Sequence, residues 1–311
     1  MNPVLLSDKN SHDYVKISGP DSRSFLQGQL TCNLDHLSSE RSLRGALCNL
    51  KGRVVADFRL LQTEQEVIML QCSSGIGEKI IDILSRYAVF SKVELAVAEG
   101  PAAVCGLIGS TLPSDLQDLL PALPDKVDEV SSNESALIVR EPGTSPRYQI
   151  WCHQREVGTA LQSEGSGDEA DWLRGEILAG VVHVTTVTSE VYTPQLLNYD
   201  ISGAVDFKKG CYTGQEVVAR MHYRAKAKKR LYRLQSAQAL AGDSMIATQQ
   251  EPEVPVVELL LVAPANGDEE RNLGLGIVST ELAESANPLI LNGNPEQVVE
   301  VVPLEYCSEA P

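Results

Sequence analysis

The stretch Lys208-Lys-Gly-Cys-Tyr-Thr-Gly-Gln-Glu-Val-Val-Ala-Arg220 carries more information about fold and function than any other part of the chain. Thr213 and Glu216 have the spacing of a capping box, in which two side chains each accept a backbone N–H at the start of a helix. The spacing therefore predicts a helix that begins shortly after Cys211. The two lysines and the helix dipole would favour a thiolate, so Cys211 is predicted to be reactive. The spacing alone fits equally well a lysine-bearing turn with an incidental cysteine.

The cysteine motif is similar to the signature of the YgfZ family of folate-binding proteins, which is related to the aminomethyltransferase of the glycine cleavage system. Other segments resemble that family in the same order, from about residue 4 to about residue 235, and the match becomes weak after that. The cysteine motif is specific, whereas each other segment alone would be weak. These segments are Phe25-Leu-Gln-Gly-Gln-Leu-Thr31, Ala46-Leu-Cys-Asn-Leu-Lys-Gly-Arg53, Arg86-Tyr-Ala-Val-Phe-Ser-Lys92 and Tyr192-Thr-Pro-Gln195.

The hydrophobic periodicity predicts an α+β protein with mixed strands and helices and an all-β C-terminal part. Residues 44–72 alternate with a period of two and predict three strands, and the short β-rich runs after Arg230 predict a small closed β-domain. The predicted helices cover Ile76–Tyr87, Ser114–Leu120, Glu156–Leu161, a segment from an Asp21 N-cap to about Leu30, and a segment through Ala179 that Asp168 or Asp171 caps.

The family resemblance implies a more specific architecture. It implies a folate-binding body with ferredoxin-like subdomains over residues 1–229, followed by a small β-barrel over residues 230–311. The body would divide near residues 97–105, and its second part, from about residue 165, would carry the motif helix.

The resemblance also implies the ligand and the residues that bind it. The ligand is expected to be tetrahydrofolate or a derivative, with Trp172 stacked on its flat ring system. A core tryptophan on a helix is the competing interpretation of Trp172. The full set of expected folate-binding residues is Trp172, His12, Lys208, Lys209, Gly210, Tyr212, Gln215, Glu216 and Arg220.

Two positions depart from the family pattern. His12 stands where the family has a second tryptophan, and imidazole stacks less strongly and responds to pH. Leu178 stands where the family often has an acidic residue, two places before Gly180. Since a carboxylate commonly holds the pterin ring, Glu176 would replace it only with a shifted geometry.

Composition limits the class of protein. The chain has 311 residues, 43% of them hydrophobic and 22% charged, which is typical of a globular protein of two or three domains. We expect a cytoplasmic protein, because the N-terminus lacks a secretory pattern and no apolar run approaches a membrane span. The seven cysteines form no Cys-x-x-Cys pair, and the histidines have no zinc-ligand spacing, so no metal site is predicted.

The net charge of −16 argues against general nucleic-acid binding, but basic residues concentrate in one stretch. No acidic residue occurs between Glu216 and Asp243. This basic stretch predicts an anion site for phosphates, nucleic acid or a polyglutamate tail, although a solvated helix end facing the acidic C-terminal part is equally simple. The residues of the proposed anion patch are Arg224, Lys226, Lys228, Lys229 and Arg230.

The resemblance implies a folate-binding accessory protein that maintains iron–sulfur enzymes and thereby tRNA modification, with Cys211 as a thiol near the folate. Its clients would be iron–sulfur enzymes that modify tRNA. Turnover of a substrate stays open. The alternatives are a tetrahydrofolate-dependent aminomethyltransferase and a tRNA-interacting module that uses the basic stretch.

Overall fold

The computed structural model describes residues 2–7, 12–163, 169–224, 227–265, 271–285 and 287–306. Within these ranges the chain forms sixteen strands, β1–β16, and six α-helices, α1–α6, numbered in chain order. No helix in this part of the chain is long and apolar enough to cross a membrane.

A central antiparallel sheet contains the three strands that the alternation over residues 44–72 predicts, and it confirms them. The strand order is β3-β4-β5-β2-β6. Its inner face carries apolar side chains that pack against the α-helix that follows β5, so the period of two decides which residues enter the core. The strands are β2 (His12–Ser18), β3 (Leu43–Cys48), β4 (Val54–Glu64), β5 (Val67–Ser73) and β6 (Glu94–Ala98).

A second antiparallel sheet has the strand order β1-β7-β10-β9-β8. Strand β1 pairs with β7 at the edge of this sheet, and the sequence patterns did not predict it. The strands are β1 (Asn2–Ser7), β7 (Ala103–Ile108), β8 (Val130–Ser132), β9 (Ala136–Arg140) and β10 (Arg147–Cys152).

The C-terminal strands form a third sheet with the order β12-β15-β16-β11-β14-β13. The N–H of Val256, just before β13, donates to the carbonyl of Ile246 in β12 at 2.9 Å, which joins the two edges. The sheet confirms the all-β C-terminal part that the sequence predicts. The strands are β11 (Lys229–Ser236), β12 (Ile246–Thr248), β13 (Glu258–Ala263), β14 (Asn272–Ser279), β15 (Leu289–Leu291) and β16 (Asn294–Val302).

The domain boundary near residue 229 stays a prediction. Leu231, Leu273 and Ile277 of the third sheet belong to the same hydrophobic core as the inner face of the central sheet. We propose that the two parts are stable together because this core is shared between them.

The helices confirm most of the predicted segments and correct two of them. The helix after Asp21 ends at Gln27, and the Asp21 carboxylate accepts from the N–H of Lys92 instead of capping it. Only a short 3-10 turn, Ser114–Leu116, forms where a helix to Leu120 was predicted. Asp168, one of the two predicted caps of the helix through Ala179, lies outside the described residues. The helices are α1 (Ser22–Gln27), α2 (Gly77–Ser85), α3 (Arg155–Ser163), α4 (Glu169–Ala179), α5 (Gln215–Arg224) and α6 (Thr280–Glu284).

Candidate functional site

A cavity of about 550 Å³ lies between the central sheet, the second sheet and α4. Strands β2 to β5 supply one wall, β10 and the segment before it supply a second wall, and α4 with the turn after it supplies a third. Helix α4 has buried residues on several sides because it also packs against β13 and β14. It therefore presents its side chains to the cavity from a fixed position.

A histidine between two carboxylates forms one polar part of the cavity wall. The Nδ1 atom of His183 lies 2.7 Å from Oδ2 of Asp57, and its Nε2 atom lies 3.7 Å from Oε1 of Glu176. Burial alone would lower the pKa of His183, but the two carboxylates outweigh burial and raise it well above the usual value. Burial would raise the pKa of Glu176, yet the bond to His183 keeps it below the usual value. The cluster therefore holds a positive imidazolium between two negative groups at neutral pH.

Trp172 lies in the wall beside this cluster and is 8% exposed. Its Nε1 atom donates to Oε1 of Glu176 at 3.1 Å, one helical turn further along α4. The guanidinium of Arg147 lies over the indole ring, 4.7 Å from its centre, so it covers one face. A flat ligand could stack only on the other face.

Gly175 makes room for this arginine. A Cβ atom at residue 175 would lie 2.5 Å from Cδ of Arg147. The guanidinium of Arg147 donates to the carbonyls of Trp172 and Pro142. Among the described residues it donates to no carboxylate. A glycine in the middle of α4 therefore has a packing reason.

His12, at the start of β2, also lines the cavity. Its Nδ1 atom is buried and makes no hydrogen bond within the described residues. Burial, followed by the charge of His183, lowers the pKa of His12 to about 4, so the imidazole is neutral near pH 7. A neutral imidazole with an unpaired buried nitrogen can form a hydrogen bond with a ligand.

A network of four charges includes three residues that line the cavity, Arg44, Arg59 and Glu141. Arg59 Nη1 lies 2.9 Å from Oδ1 of Asp128, and Arg59 Nη2 lies 2.6 Å from Oε2 of Glu141. Arg44 Nε contacts the same oxygen of Asp128 at 3.0 Å. Burial would raise the pKa of Asp128, but the two arginines keep it below its usual value. These arginines are already paired, so they shape the wall and leave little charge for a ligand.

The structure shows where Leu178, which stands at the often acidic position of the family, lies relative to the cavity. Leu178 is 43% exposed and does not line the cavity, whereas Glu176 does. Glu169 and Glu176 are therefore the carboxylates that α4 contributes to the cavity wall, and residue 178 contributes none. Sequence patterns did not indicate Asp57 or His183, because neither residue lies in a motif with a known spacing.

The cysteine motif lies outside this cavity. Cys211 is exposed, and none of the residues 208–220 is among those that line the cavity. A Cβ atom at Gly214 would lie 2.4 Å from the carbonyl oxygen of Asn49, so the motif packs on the turn between β3 and β4. Gly45 of the cavity wall lies four residues earlier on β3, about 13 Å away along the strand.

Lys209 anchors the loop before α5 to the segment at the end of α1. Its ammonium donates to the carbonyls of Gln27 at 2.8 Å, Leu30 at 2.6 Å and Cys32 at 2.7 Å. Burial lowers the pKa of Lys209 to about 8. Lys208, in contrast, is exposed. The two neighbouring lysines that the sequence treats alike therefore have different surroundings.

The predicted helix after Cys211 is confirmed as α5, but the capping box is wrong. Thr213 Oγ1 donates to Oε1 of Gln29 at 2.9 Å and is not used as a cap, because it faces the segment after α1. The Gln215 side chain instead accepts from the N–H of Tyr212 at 3.3 Å.

The other predicted site residues of the motif are distributed around the start of α5. Tyr212 is buried, and its hydroxyl has no partner among the described residues. Gly210, Glu216 and Arg220 are exposed, and in the described structure no ion pair joins Glu216 to Arg220. Their contact with folate stays a prediction.

The basic stretch is separate from the cavity as well. Arg230 forms a two-point ion pair with the fully buried Asp200, at 2.9 and 2.8 Å, so its charge is already used. Arg224, Lys228 and Lys229 are exposed, and Lys226 lies outside the described residues. Binding of an anion there stays a prediction.

The fold is that of the glycine cleavage system aminomethyltransferases, with a cavity between its sheets. Aminomethyltransferase T from Bartonella henselae matches with a TM-score of 0.77 over 97% of this chain and 85% of that chain, at 15% identity. No protein-family profile matches the sequence.

Sequence comparison gives the family. The tRNA-modifying protein YgfZ of Colwellia psychrerythraea is 33% identical over 240 residues, which cover 76% of this chain and 73% of that protein. The protein of the same name from Vibrio atlanticus is 30% identical over 316 residues, or 97% and 92% of the two chains. The chain belongs to the YgfZ family.

Proposed function

We propose that this protein binds a reduced folate in the cavity and thereby supports tRNA modification. The observation that carries the proposal is the pairing of Trp172 with Glu176 in the wall of the cavity, in a chain of the YgfZ family. A flat apolar surface beside a fixed carboxylate suits a ring system that both stacks and donates hydrogen bonds.

The cavity suits a ligand of this kind in size and in polar groups. Its volume of about 550 Å³ lies within the usual range for small-molecule sites. The unpaired Nδ1 atom of His12 offers a hydrogen bond to a bound ligand. A bound tetrahydrofolate would supply two nitrogens that accept or donate a one-carbon unit. Polyglutamylated forms stay candidates because the exposed lysines 228 and 229 are unpaired in the described structure.

We propose a separate role for Cys211 on the surface. An exposed thiol on a loop that Lys209 holds in place can react with a partner protein. In this proposal Cys211 acts as a redox or carbon-accepting thiol in the maintenance of iron–sulfur enzymes that modify tRNA. Replacement by serine should leave the fold intact and abolish restoration of tRNA modification in a bacterial strain that lacks its own YgfZ protein.

An aminomethyltransferase activity is the second candidate, and the shared fold favours it. It would release ammonia from an aminomethyl carrier protein in a folate-dependent reaction, which the accessory role does not require. A tRNA-interacting module is the third candidate, and it predicts salt-sensitive binding of tRNA by the isolated protein.

Calorimetric titration with tetrahydrofolate monoglutamate tests the binding proposal. Trp172→Ala should weaken binding by about 1–2 kcal/mol, the range of an aromatic contact with its burial. The matched control is Trp151→Phe, because Trp151 is buried on β10 and does not line the cavity. Absence of binding by the wild-type protein would contradict the proposal.

A further inference from the structure

We infer that the surface at the C-terminal end of α5, called the α5 surface below, binds unpaired nucleotides of RNA. It carries an exposed aromatic ring, Tyr223, and a set of exposed basic side chains. Neither the ring nor these basic groups line the cavity, so this binding goes beyond the proposed folate binding and does not depend on it. The basic residues are Lys208, Arg220, Arg224, Lys228 and Lys229.

Three rings form an aromatic cluster beside the last turn of α5. The rings of Phe207 and His222 stack with their centres 3.8 Å apart and their planes at 17°. The ring of Tyr223 is steeply inclined to both, with its centre 5.9 Å from that of Phe207 and 4.9 Å from that of His222. Tyr223 is nevertheless 69% exposed, so the cluster holds the ring while most of it meets solvent. A ring held in this way is a surface on which a base can stack.

The buried carboxylate of Asp200 places the start of β11 beside this cluster. Asp200 forms the two-point ion pair with Arg230, and its Oδ2 atom also lies 3.6 Å from Nδ1 of His222. Residues 228 and 229, both lysines, directly precede Arg230 in the chain. Their charges therefore lie next to the end of α5, although five or six residues separate them from Tyr223 in sequence.

The exposed side of α5 adds further positive charge. Arg220 and Arg224 are four residues apart and therefore on one side of the helix, about 6 Å apart along its axis, with Tyr223 beside them. Lys208 directly follows a ring of the aromatic cluster in the chain. None of these three basic groups forms an ion pair with another described residue. The acidic residue of α5, Glu216, lies in the first turn of the helix, at the other end from Tyr223.

Basic groups around an exposed ring match the chemistry of single-stranded nucleic acid. The phosphates of a single strand bind basic side chains, while its bases stack on exposed aromatic rings. Unpaired bases of this kind occur in the loops, bulges and ends of folded RNA. Because the whole chain has a net charge of −16, binding of a polyanion is confined to this basic part of the surface.

The exposed ring distinguishes this ligand from other anions. In a duplex the bases stack on one another inside the double helix, so the ring of Tyr223 would have no partner. A chain of carboxylates, such as a polyglutamate tail or an acidic protein segment, would use the lysines and arginines but not the ring. The two kinds of side chain together therefore favour unpaired nucleotides.

Fluorescence anisotropy with a labelled RNA strand of about 12 nucleotides, without self-complementarity, tests the assignment. The wild-type protein should bind this strand more tightly than the same strand annealed to its complement, and binding should weaken as salt is added. Tyr223→Ala should weaken binding by about 5- to 150-fold, the range for one stacked base, whereas Tyr223→Phe should change it by less than about twofold because the ring stays. Arg224→Ala should reduce the slope of log Kd against log salt concentration by about 0.7, as for one phosphate of a single strand.

The matched control is Phe90→Ala. The ring of Phe90 is 99% exposed but lies between α2 and β6, outside the α5 surface, so its removal should leave RNA binding unchanged. A hexaglutamate peptide at the same concentration as the RNA should not displace it. Calorimetric titration with tetrahydrofolate should give the same result for Tyr223→Ala as for the wild type, so a failure of RNA binding and a failure of folate binding are distinct results.

Undiminished RNA binding by Tyr223→Ala, equal affinity for the duplex and the single strand, or displacement by hexaglutamate would overturn the inference. Absence of RNA binding by the wild type at low salt would also overturn it, with no consequence for the folate proposal. If Tyr223→Ala does not fold, photochemical crosslinking of the wild type to RNA that contains 4-thiouridine takes its place. The crosslinks should then map to the peptide that contains Tyr223, and crosslinks confined to other parts of the chain would contradict the inference.

Discussion

The ammonium of Lys209 lies 2.6 Å from the carbonyl oxygen of Leu30, a residue 179 positions earlier in the chain. Two more carbonyls of the same segment accept from this group, so one buried side chain closes the loop after α1 and fixes the loop before α5. The position of Cys211 therefore depends on a long-range contact as well as on its own helix.

Replacement of Lys209 by methionine should lower the free energy of unfolding by about 2–4 kcal/mol, because three buried carbonyls lose a charged donor. Urea denaturation measures this value. Lys208→Met is the matched control, and its effect should stay within about 0.5 kcal/mol because Lys208 is exposed. Equal effects of the two substitutions would contradict the role given to Lys209.

Cys211 should be the first thiol to react among the described cysteines. Burial covers the other five and raises the pKa of Cys32 and of Cys48 to about 12. Brief alkylation with iodoacetamide at neutral pH, followed by peptide mapping, measures the order of labelling. The Cys211→Ser variant should lose the fast phase of labelling. Faster labelling of Cys32 or Cys48 would contradict the exposure of Cys211 and the burial of the other two thiols.

The pKa values of the two cavity histidines should be shifted in opposite directions. The pKa of His12 falls from 6.5 to about 4 in the folded state, so between these values the unfolded chain binds a proton that the folded chain does not. The contribution of His12 to stability is therefore complete above pH 6.5 and is lost as the pH falls towards 4. His183 has a raised pKa, so its contribution is complete below pH 6.5 and is lost at higher pH, as the folded state gives up its proton.

Nuclear magnetic resonance titration of the imidazole signals measures both values, and His12→Asn and His183→Asn assign them. His12→Asn should also flatten the loss of stability between pH 6.5 and 4. Titration of His12 at its ordinary pKa would show that it is not enclosed in the cavity wall.

Gly175→Ala should destabilise the protein by about 1–3 kcal/mol, although alanine is the better helix former by about 1 kcal/mol. The new Cβ atom would meet Arg147, 2.5 Å from its Cδ atom, and push it off the Trp172 ring. In an Arg147→Ala background the same substitution should become neutral or stabilising. Thermal unfolding of the wild type and the three variants measures this coupling, and its absence would mean that Arg147 does not pack against α4.

The parts of this structure that depend on local pattern could be predicted from the sequence. The alternation over residues 44–72 predicts three strands, because side-chain burial in a strand follows its own period. The capping-box spacing in the motif predicts α5, and the helix is there although the capping bonds are not. The capping box failed since Thr213 meets Gln29, a partner that its spacing to Glu216 does not reveal.

The candidate site was less accessible to prediction. Asp57 and His183 are 126 positions apart and meet only when β4 lies beside the segment after α4. Glu176 faces the cavity and Leu178 faces solvent because of the rotation of α4 about its own axis. The sequence does not predict this rotation, because the helix has no distinct apolar side. Tertiary packing decides both relationships.

The most direct test of the central claim, that the cavity is a folate site, is the fluorescence of Trp172 during folate titration. The chain has two tryptophans, so Trp151→Phe leaves Trp172 as the only indole. Titration with tetrahydrofolate, corrected for ligand absorbance with free tryptophan, should give saturable quenching with the same dissociation constant as calorimetry. Calorimetric binding without any change in the Trp172 signal would place the folate elsewhere and contradict the account.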